Sequence, residues 1–393
     1  MTLQAALAEQ LDSAQQAEVL SAAGEVSRRY RAREKKSFQI RNRAEALAYA
    51  LARMPATYGA VCRALRYSLE GLGGLTQAPL SLLDVGAGTG AAAWAAAGLA
   101  ELSSVTCLEY ADEMRKLGES LMRGEGSPLK QAEWSRLELV SQPIGKRADL
   151  VVASYVVNEI REEDRGKVLA KLWEATGKLL LLVEPGTPEG FRVLKEARSR
   201  LLESGAHVLA PCPQEGPCPL PDGDWCHFVC RIQRTRLHKL AKEGEAPFED
   251  EKFSYLAVSR EKGNLCGARV LRHPYRGKGY VRLELCSKEG LKQQTVSKRE
   301  GPLYKAAKKA VCGDLFKAAS RLSEERRPMT FKSRGSLAPL RSGFKFSACF
   351  PRPLPAPGFL LSPRLPPKGK SVKKISLHSW QVFQKRKSMA RLF

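Results

Sequence analysis

No stretch of the 393-residue chain strings together about eighteen uncharged apolar residues, so no membrane-spanning helix is expected. The opening segment, "MTLQAALAEQLDSAQQAEVL", lacks a basic block followed by an apolar one and carries Glu9, Asp12 and Glu18 early. It reads as a helix of the mature protein rather than a secretory signal, and the early acids argue against a mitochondrial presequence. No internal repeat is visible. Acidic residues are missing from Phe331 to Phe393, where fourteen Lys/Arg and eight prolines stand, a composition that predicts a tail disordered when free. The ten cysteines contain no C-x2-C knuckle of the kind zinc ribbons use. In a chain this long they suit a reducing compartment with a metal site better than a disulfide scaffold.

What is present is unevenly placed. Net charge is +24, yet residues 1–259 are close to neutral, while residues 260–310 hold fourteen basic and four acidic side chains. A cationic block behind a neutral body is the footprint of a polyanion-binding appendage; the bland alternative is a solvated, solubilising surface. Lys278, Arg282, Lys288, Lys292, Lys298, Arg299, Lys305, Lys308 and Lys309, with Tyr280 and Tyr304 among them, are the candidates to meet phosphates and stack on bases.

Residues 1 to about 75 read as helices, with apolar residues at helical spacing interrupted at Pro55. Short apolar runs then alternate with helical segments: "LSLLDV", "SVTCLEY", "RLELVSQ" (Arg136 to Gln142), "ADLVVASYVVNEI" and "KLLLLVEPG". This alternation predicts an α/β fold with a parallel, doubly wound sheet. Farther on, "FSYLAVSR", "GARVLRHP" and "GYVRLELCS" read as strands, and "PLYKAAKKAVCGDLF" as a basic helix ending near Gly313.

The turn "DVGAGTG" sits between a predicted strand and a predicted helix, the context that gives such a motif meaning. Gly86, Gly88 and Gly90 let the backbone turn sharply and approach a ligand, and the following helix start offers free N–H groups. Asp84 is placed to orient the loop or take a ligand amine; Glu109, ending the second strand, is placed to accept both hydroxyls of a ribose. The alternative is a glycine turn needed only for packing. Spaced as G-x-G-x-G after an Asp, the loop resembles motif I of the class I S-adenosylmethionine-dependent methyltransferases, with Glu109 matching their ribose-binding acid. The fourth strand projects "SYVVNEI" toward the cofactor position but lacks the Asp/Asn-Pro-Pro-aromatic motif of amine methylases, and no catalytic base or nucleophile stands out.

"PCPQEGPCPLPDGDWCHFVC" (Pro211 to Cys230) sets four cysteines among five prolines and two glycines. Cys212, Cys218 and Cys226 are spaced C-x5-C-x7-C on turns that hold thiolates apart, as a zinc ion or an iron–sulfur cluster requires. For the fourth ligand, spacing alone leaves both Cys230 and Cys286 open, with His227 as a nitrogen substitute. Cys62, Cys107 and Cys312 lie in apolar helix- or strand-like patterns and read as buried free thiols.

These stretches together resemble the ribosomal small-subunit Rsm-type methyltransferase-like family, whose members include a mitochondrial ribosome assembly factor and bacterial relatives. The resemblance runs from about Arg28 to Phe316 through "LLDVGAGTGAAAWAA", "VEPGTPEGF", "APCPQEGPCPLPDGDWCHF", "FEDEKFSYLAVSR" and "GYVRLELCSKEGLKQQTVSKREGPLYKAAKKAVCGDLF". It implies a Rossmann-like body with S-adenosylmethionine at Asp84, Gly86, Gly88, Gly90 and Glu109, and a [4Fe–4S] cluster on Cys212, Cys218, Cys226 and Cys286. It also implies binding to the small ribosomal subunit and its rRNA, with methylation assumed in the family more than established. The expected organisation is an N-terminal helical region (1–75), a methyltransferase-like domain (76–209), a Cys-rich and basic RNA-binding segment (210–316) and the tail (317–393). A monomer off the ribosome in a bacterial cytoplasm is expected, with the mitochondrial matrix as the alternative compartment. The competing function is a small-molecule methyltransferase with a structural zinc site.

Overall fold

The computed structural model describes residues 2–11, 16–31, 39–72, 78–124, 126, 128–242, 244–263 and 267–317. The expected disordered tail, Cys266 and Cys349 lie outside the described residues. Three helices open the chain: α1 (Leu3–Glu9), α2 (Gln16–Arg31) and α3 (Arg43–Leu72). The interruption expected at Pro55 does not occur, because α3 runs through it. A mid-helix proline costs about 3 kcal/mol, but eighteen side chains or glycines of α3 are buried on this helix. That apolar burial exceeds the local cost.

Strand β1 (Leu80–Val85) is buried almost throughout, as Leu-Ser-Leu-Leu-Asp-Val demands of a central parallel strand. After the glycine loop come α4 (Ala91–Ala97), β2 (Leu102–Leu108), α5 (Asp112–Met122) and β3 (Glu133–Ser135). Then follow β4 (Ala148–Ser154), α6 (Glu162–Glu174), β5 (Thr176–Pro185), α7 (Pro188–Glu203) and β6 (His207–Ala210). The strands from β1 to β5 are parallel in the order β3-β2-β1-β4-β5. Beyond the cysteine loop, β7 (Phe228–Gln233), α8 (Arg236–Ala241) and β8 (Phe248–Ser259) return to this sheet. β8 lies antiparallel to β5, β6 and β7, making the sheet eight-stranded and mixed and carrying it across the division expected at residue 210. Apolar cores fill both faces, one under α3, α4 and α5 and one under α6 and α7.

The strand expected at Arg136–Gln142 is displaced: β3 covers only the three residues before it. Glu138 and Gln142 bond each other's backbone, and the Ser141 hydroxyl donates to the Glu138 carboxylate, so local bonds replace a ladder.

A second, five-stranded antiparallel sheet comprises β9 (Ala268–Val270), β10 (Tyr275–Gly277), β11 (Tyr280–Ser287), β12 (Gly290–Ser297) and β13 (Leu315–Phe316). Helix α9 (Gly301–Lys309) packs on one face over Val281, Leu283, Leu285 and Val296. The basic helix therefore ends four residues earlier than expected, and Leu315–Phe316 pairs with β9 instead. Among the described residues no helix is long and apolar enough to cross a membrane.

Candidate functional site

The glycine loop lies where a doubly wound sheet binds ligands, at the C-terminal ends of β1, β2 and β4. Gly86, Gly88 and Gly90 all have left-handed φ, at 68°, 56° and 86°. A Cβ at Gly86 would stand 2.4 Å from Val156 Cγ2, whereas one at Gly88 would meet only the end of Met114 at 3.6 Å. Gly86 and Gly90 thus answer to packing as well as conformation, and Gly88 leaves open space. The N–H groups of the loop ahead of the helix are engaged. Gly86 and Ala87 donate to the Leu108 carbonyl, Gly90 donates to Ala87, and Gly88 donates to Glu109 Oε2 at 2.7 Å.

Glu109 holds the loop with one oxygen and takes the Ala111 N–H at 2.8 Å with the other. Burial raises its pKa, and the backbone donors pull it back. It lines a cleft of about 780 Å³ with Gly86, Gly88, Tyr155 and Glu159. Asp84 and Gly90 do not line it. Asp84 is fully buried in β1, and its Oδ2 accepts the Ala93 N–H at 3.1 Å, so it ties the start of α4 to the strand. Burial pushes its pKa up to about 7, with a contribution from Glu109. Glu109 is thus the acid of the loop that reaches a cleft large enough for a nucleoside.

The far rim of the cleft is the expected "SYVVNEI" turn, held by Glu184 and Glu251, which the sequence reading missed. Tyr155 has φ 62°, a conformation rare without glycine, and its hydroxyl donates to Glu251 at 2.9 Å. Beneath the following turn, Glu184 of β5 is fully buried, and its Oε1 accepts the N–H groups of Val157 and Asn158. Its Oε2 has no partner among the described residues, and burial raises its pKa to about 8. The legible signal was an acid closing a run of leucines. Among the described residues lining the cleft there is no cysteine, histidine or lysine, so no nucleophile or base of those types presents itself.

The cysteine loop leaves β6 through a cis Ala210–Pro211 bond and forms no helix or strand until β7. Cys212, Cys218, Cys226 and, from β11, Cys286 line one pocket. Cys230 does not: it sits in the core on the α3 side of the sheet, where a Cβ on Gly59 would come within 3.3 Å of its sulfur. The alternative that spacing left open is thereby separated in space. His227 turns its Nδ1 to the Trp225 carbonyl. Cys62, Cys107 and Cys312 are buried, as expected. Among the described residues no three His, Cys, Asp or Glu side chains form a ready site for a single metal ion.

Two guanidinium groups face the same pocket. Arg269 is fully buried, donating to the carbonyls of Pro211 and Gly313. Arg198 donates to the Gln214 carbonyl, while its Nε has no partner among the described residues; the same holds for the buried hydroxyl of Tyr255, also in the lining. Burial raises the thiol pKa values of Cys212, Cys226 and Cys286, the last to about 12, and the arginines oppose this at Cys212 and Cys286. Two buried cations and two unused donors around four thiols suit an occupant that is anionic once thiolates form.

The profile of the family described as "Mitochondrial small ribosomal subunit Rsm22" matches residues 43–317. The human ribosome assembly protein METTL17, mitochondrial, is 29% identical over 290 residues, covering 69% of this chain and 62% of that protein. Rsm22-cox11 tandem protein 2, mitochondrial, of Schizosaccharomyces pombe is 25% identical over 292 residues, covering 60% of this chain and 38% of its own. The chain therefore spans less than two thirds of either relative. Among solved structures, magnesium protoporphyrin IX methyltransferase from Synechocystis PCC 6803 aligns at 12% identity and a TM-score of 0.35, covering 64% of this chain and 98% of its own. A TehB-like S-adenosylmethionine-dependent methyltransferase from Corynebacterium glutamicum aligns at 16% and 0.32, covering 47% and 83%. The strand order and the glycine loop at the sheet's C-terminal edge make the body a class I methyltransferase fold. By the extent of the profile match, the chain belongs to the Rsm22 family.

Proposed function

We propose that this chain is an assembly factor of the small ribosomal subunit that binds S-adenosylmethionine in the glycine-loop cleft, carries a [4Fe–4S] cluster on Cys212, Cys218, Cys226 and Cys286, and grips rRNA with segment 260–310. The observation that carries the metal part is the convergence of four thiols from the loop and β11 on a pocket shared with Arg198 and Arg269. The relatives named above are mitochondrial, which favours the matrix over the bacterial cytoplasm.

S-adenosylmethionine, when bound, supplies an electrophilic methyl group. The chain's own part is to present Glu109 to a ribose, to keep Gly88 bare beneath it, and to hold the rim turn through Glu184. Methyl transfer is left outside the proposal, since no residue of the cleft is assigned as base. The nine basic residues named at the outset within 278–309 are all exposed, and none forms an ion pair among the described residues, as phosphate contacts require.

The test is metal and sulfide analysis with an absorption spectrum on full-length protein purified without oxygen. Iron and sulfide in near-equal amounts, lost in Cys286→Ser and kept in Cys230→Ser, is the expected result. Stoichiometric zinc, or iron lost from Cys230→Ser and kept in Cys286→Ser, refutes the ligand assignment.

A further inference from the structure

The small sheet has two unlike faces. One packs on α9; the other is left open around Tyr275, Tyr280 and Arg282. Tyr275 is 59% exposed, the most exposed large apolar side chain among the described residues. Its ring lies 6.0 Å from that of Tyr280, tilted by 38°, and the Arg282 guanidinium stands 5.7 Å from its centre. The register sets Tyr275 opposite Arg282 and Gly277 opposite Tyr280. A Cβ at Gly277 would fall 2.4 Å from the Tyr280 ring, so that ring packs over the glycine. Arg276, between the two, turns to the other face and donates to the carbonyls of Lys308 and Ala310, which fixes which residues point outward.

We propose that this open face is a base-stacking platform for single-stranded RNA, with Tyr275 and Tyr280 as the stacking surfaces and Arg282 as a third, planar cation. The inference rests on the rRNA-binding reading given above and adds the form of RNA taken. Tyr280 is half-buried over Gly277 and serves the sheet as well, but Tyr275 leaves most of its ring in water, and unpaired bases offer flat partners of matching size. The rim supplies the charge: Lys278, Lys298 and Arg299 are exposed, against Glu284 on the face itself. Duplex RNA presents its bases edge-on and cannot use the rings, so the surface selects loops, bulges and strand ends.

Fluorescence anisotropy of the full chain with a labelled oligouridylate of about twelve nucleotides, and separately with a blunt RNA duplex, tests this. Tyr275→Ala is expected to weaken single-strand binding at least about fivefold, with the slope of log affinity against log salt unchanged and duplex binding unaltered. Lys298→Ala and Arg299→Ala together are expected to weaken both ligands and flatten that slope. Tyr275→Ala that binds the oligouridylate as tightly as the parent overturns the platform while leaving RNA binding intact. A parent chain that prefers duplex also overturns it; a parent that binds neither RNA removes the rRNA reading as well. Tyr275 is exposed, so an unchanged melting temperature certifies the variant as folded.

Discussion

Replacing Glu184 by Gln separates ionisation from shape beneath the cleft rim. The carboxyl is fully buried, Oε1 accepts from Val157 at 2.8 Å and Asn158 at 3.2 Å, and Oε2 has no partner among the described residues. Burial is the leading cause of its raised pKa, about 8 against an ordinary 4.5, with Glu159 adding to it and the two N–H donors and Arg165 opposing. The folded chain thus keeps a proton that the unfolded chain gives up. The stability this group contributes is full below about pH 4.5 and is lost as pH rises to about 8. Across that window the loss runs at about 1.4 kcal/mol per pH unit, roughly 4–5 kcal/mol in all.

Glutamine keeps the carbonyl acceptor and cannot ionise. Urea unfolding of the parent and Glu184→Gln at pH 5, 6, 7 and 8 should therefore give curves that nearly coincide at pH 5 and separate steadily, with the variant the more stable at pH 8. Asp84, raised in the same direction, is present in both proteins and cancels from the difference. Two parallel stability profiles would show that Glu184 titrates normally, and the picture of a neutral acid propping the Val157–Asn158 turn would be wrong.

Alanine at Gly86 should lower unfolding free energy by about 2–4 kcal/mol, from the left-handed backbone and the contact with Val156. Alanine at Gly88 should cost only about 1–2 kcal/mol, since only the backbone term applies there; denaturant midpoints for the pair check the ordering. Arg198→Met keeps the bulk of the side chain and removes a buried cation beside Cys212. In the iron-loaded protein it should lower the midpoint potential by about 50–100 mV, read by spectroelectrochemistry; an unchanged potential would mean the guanidinium does not face the occupant.

The methyltransferase body was legible because its signals are local. Leu-Ser-Leu-Leu-Asp-Val, the glycine turn and Glu109 lie within thirty residues, and each needs only its neighbours to take shape. What escaped depends on distant partners. Pro55 signals a helix break, yet α3 packs on α2, α4 and the strands of the sheet, and burial overrides the local signal. Arg136–Gln142 has the composition of a strand, but hydrogen bonds within the segment, Gln142 to the Glu138 backbone and Ser141 to the Glu138 carboxylate, replace a ladder there. Arg198 and Arg269 carry no sequence signal toward the cysteines, because α7 and β9 approach the loop only in the folded chain. Cys230 and Cys286 were equal candidates on spacing; the sheet sets them apart, one buried against α3 and the other lining the pocket with the loop thiols.

β11 is where the two proposals meet. Its even-numbered residues place Tyr280 and Arg282 on the open face and Cys286, farther along the same face, under the cysteine loop. Four residues of strand separate Arg282 from Cys286, about 13 Å. The small sheet is tied to the body by the bonds of Arg269 to Pro211, Cys312 to His227, Arg272 to Asp224 and Tyr67 to Asp314, all at the Cys286 end. On the proposed ligand set, filling the pocket joins β11 covalently to three points of the loop, and the binding free energy becomes orientation of the sheet. The open face lies one rigid strand away from that junction, so its bearing relative to the cleft is fixed by the same event. Loss of the metal should therefore cost RNA affinity even though no RNA contact includes a cysteine, and the Tyr275 contribution should shrink with it rather than persist.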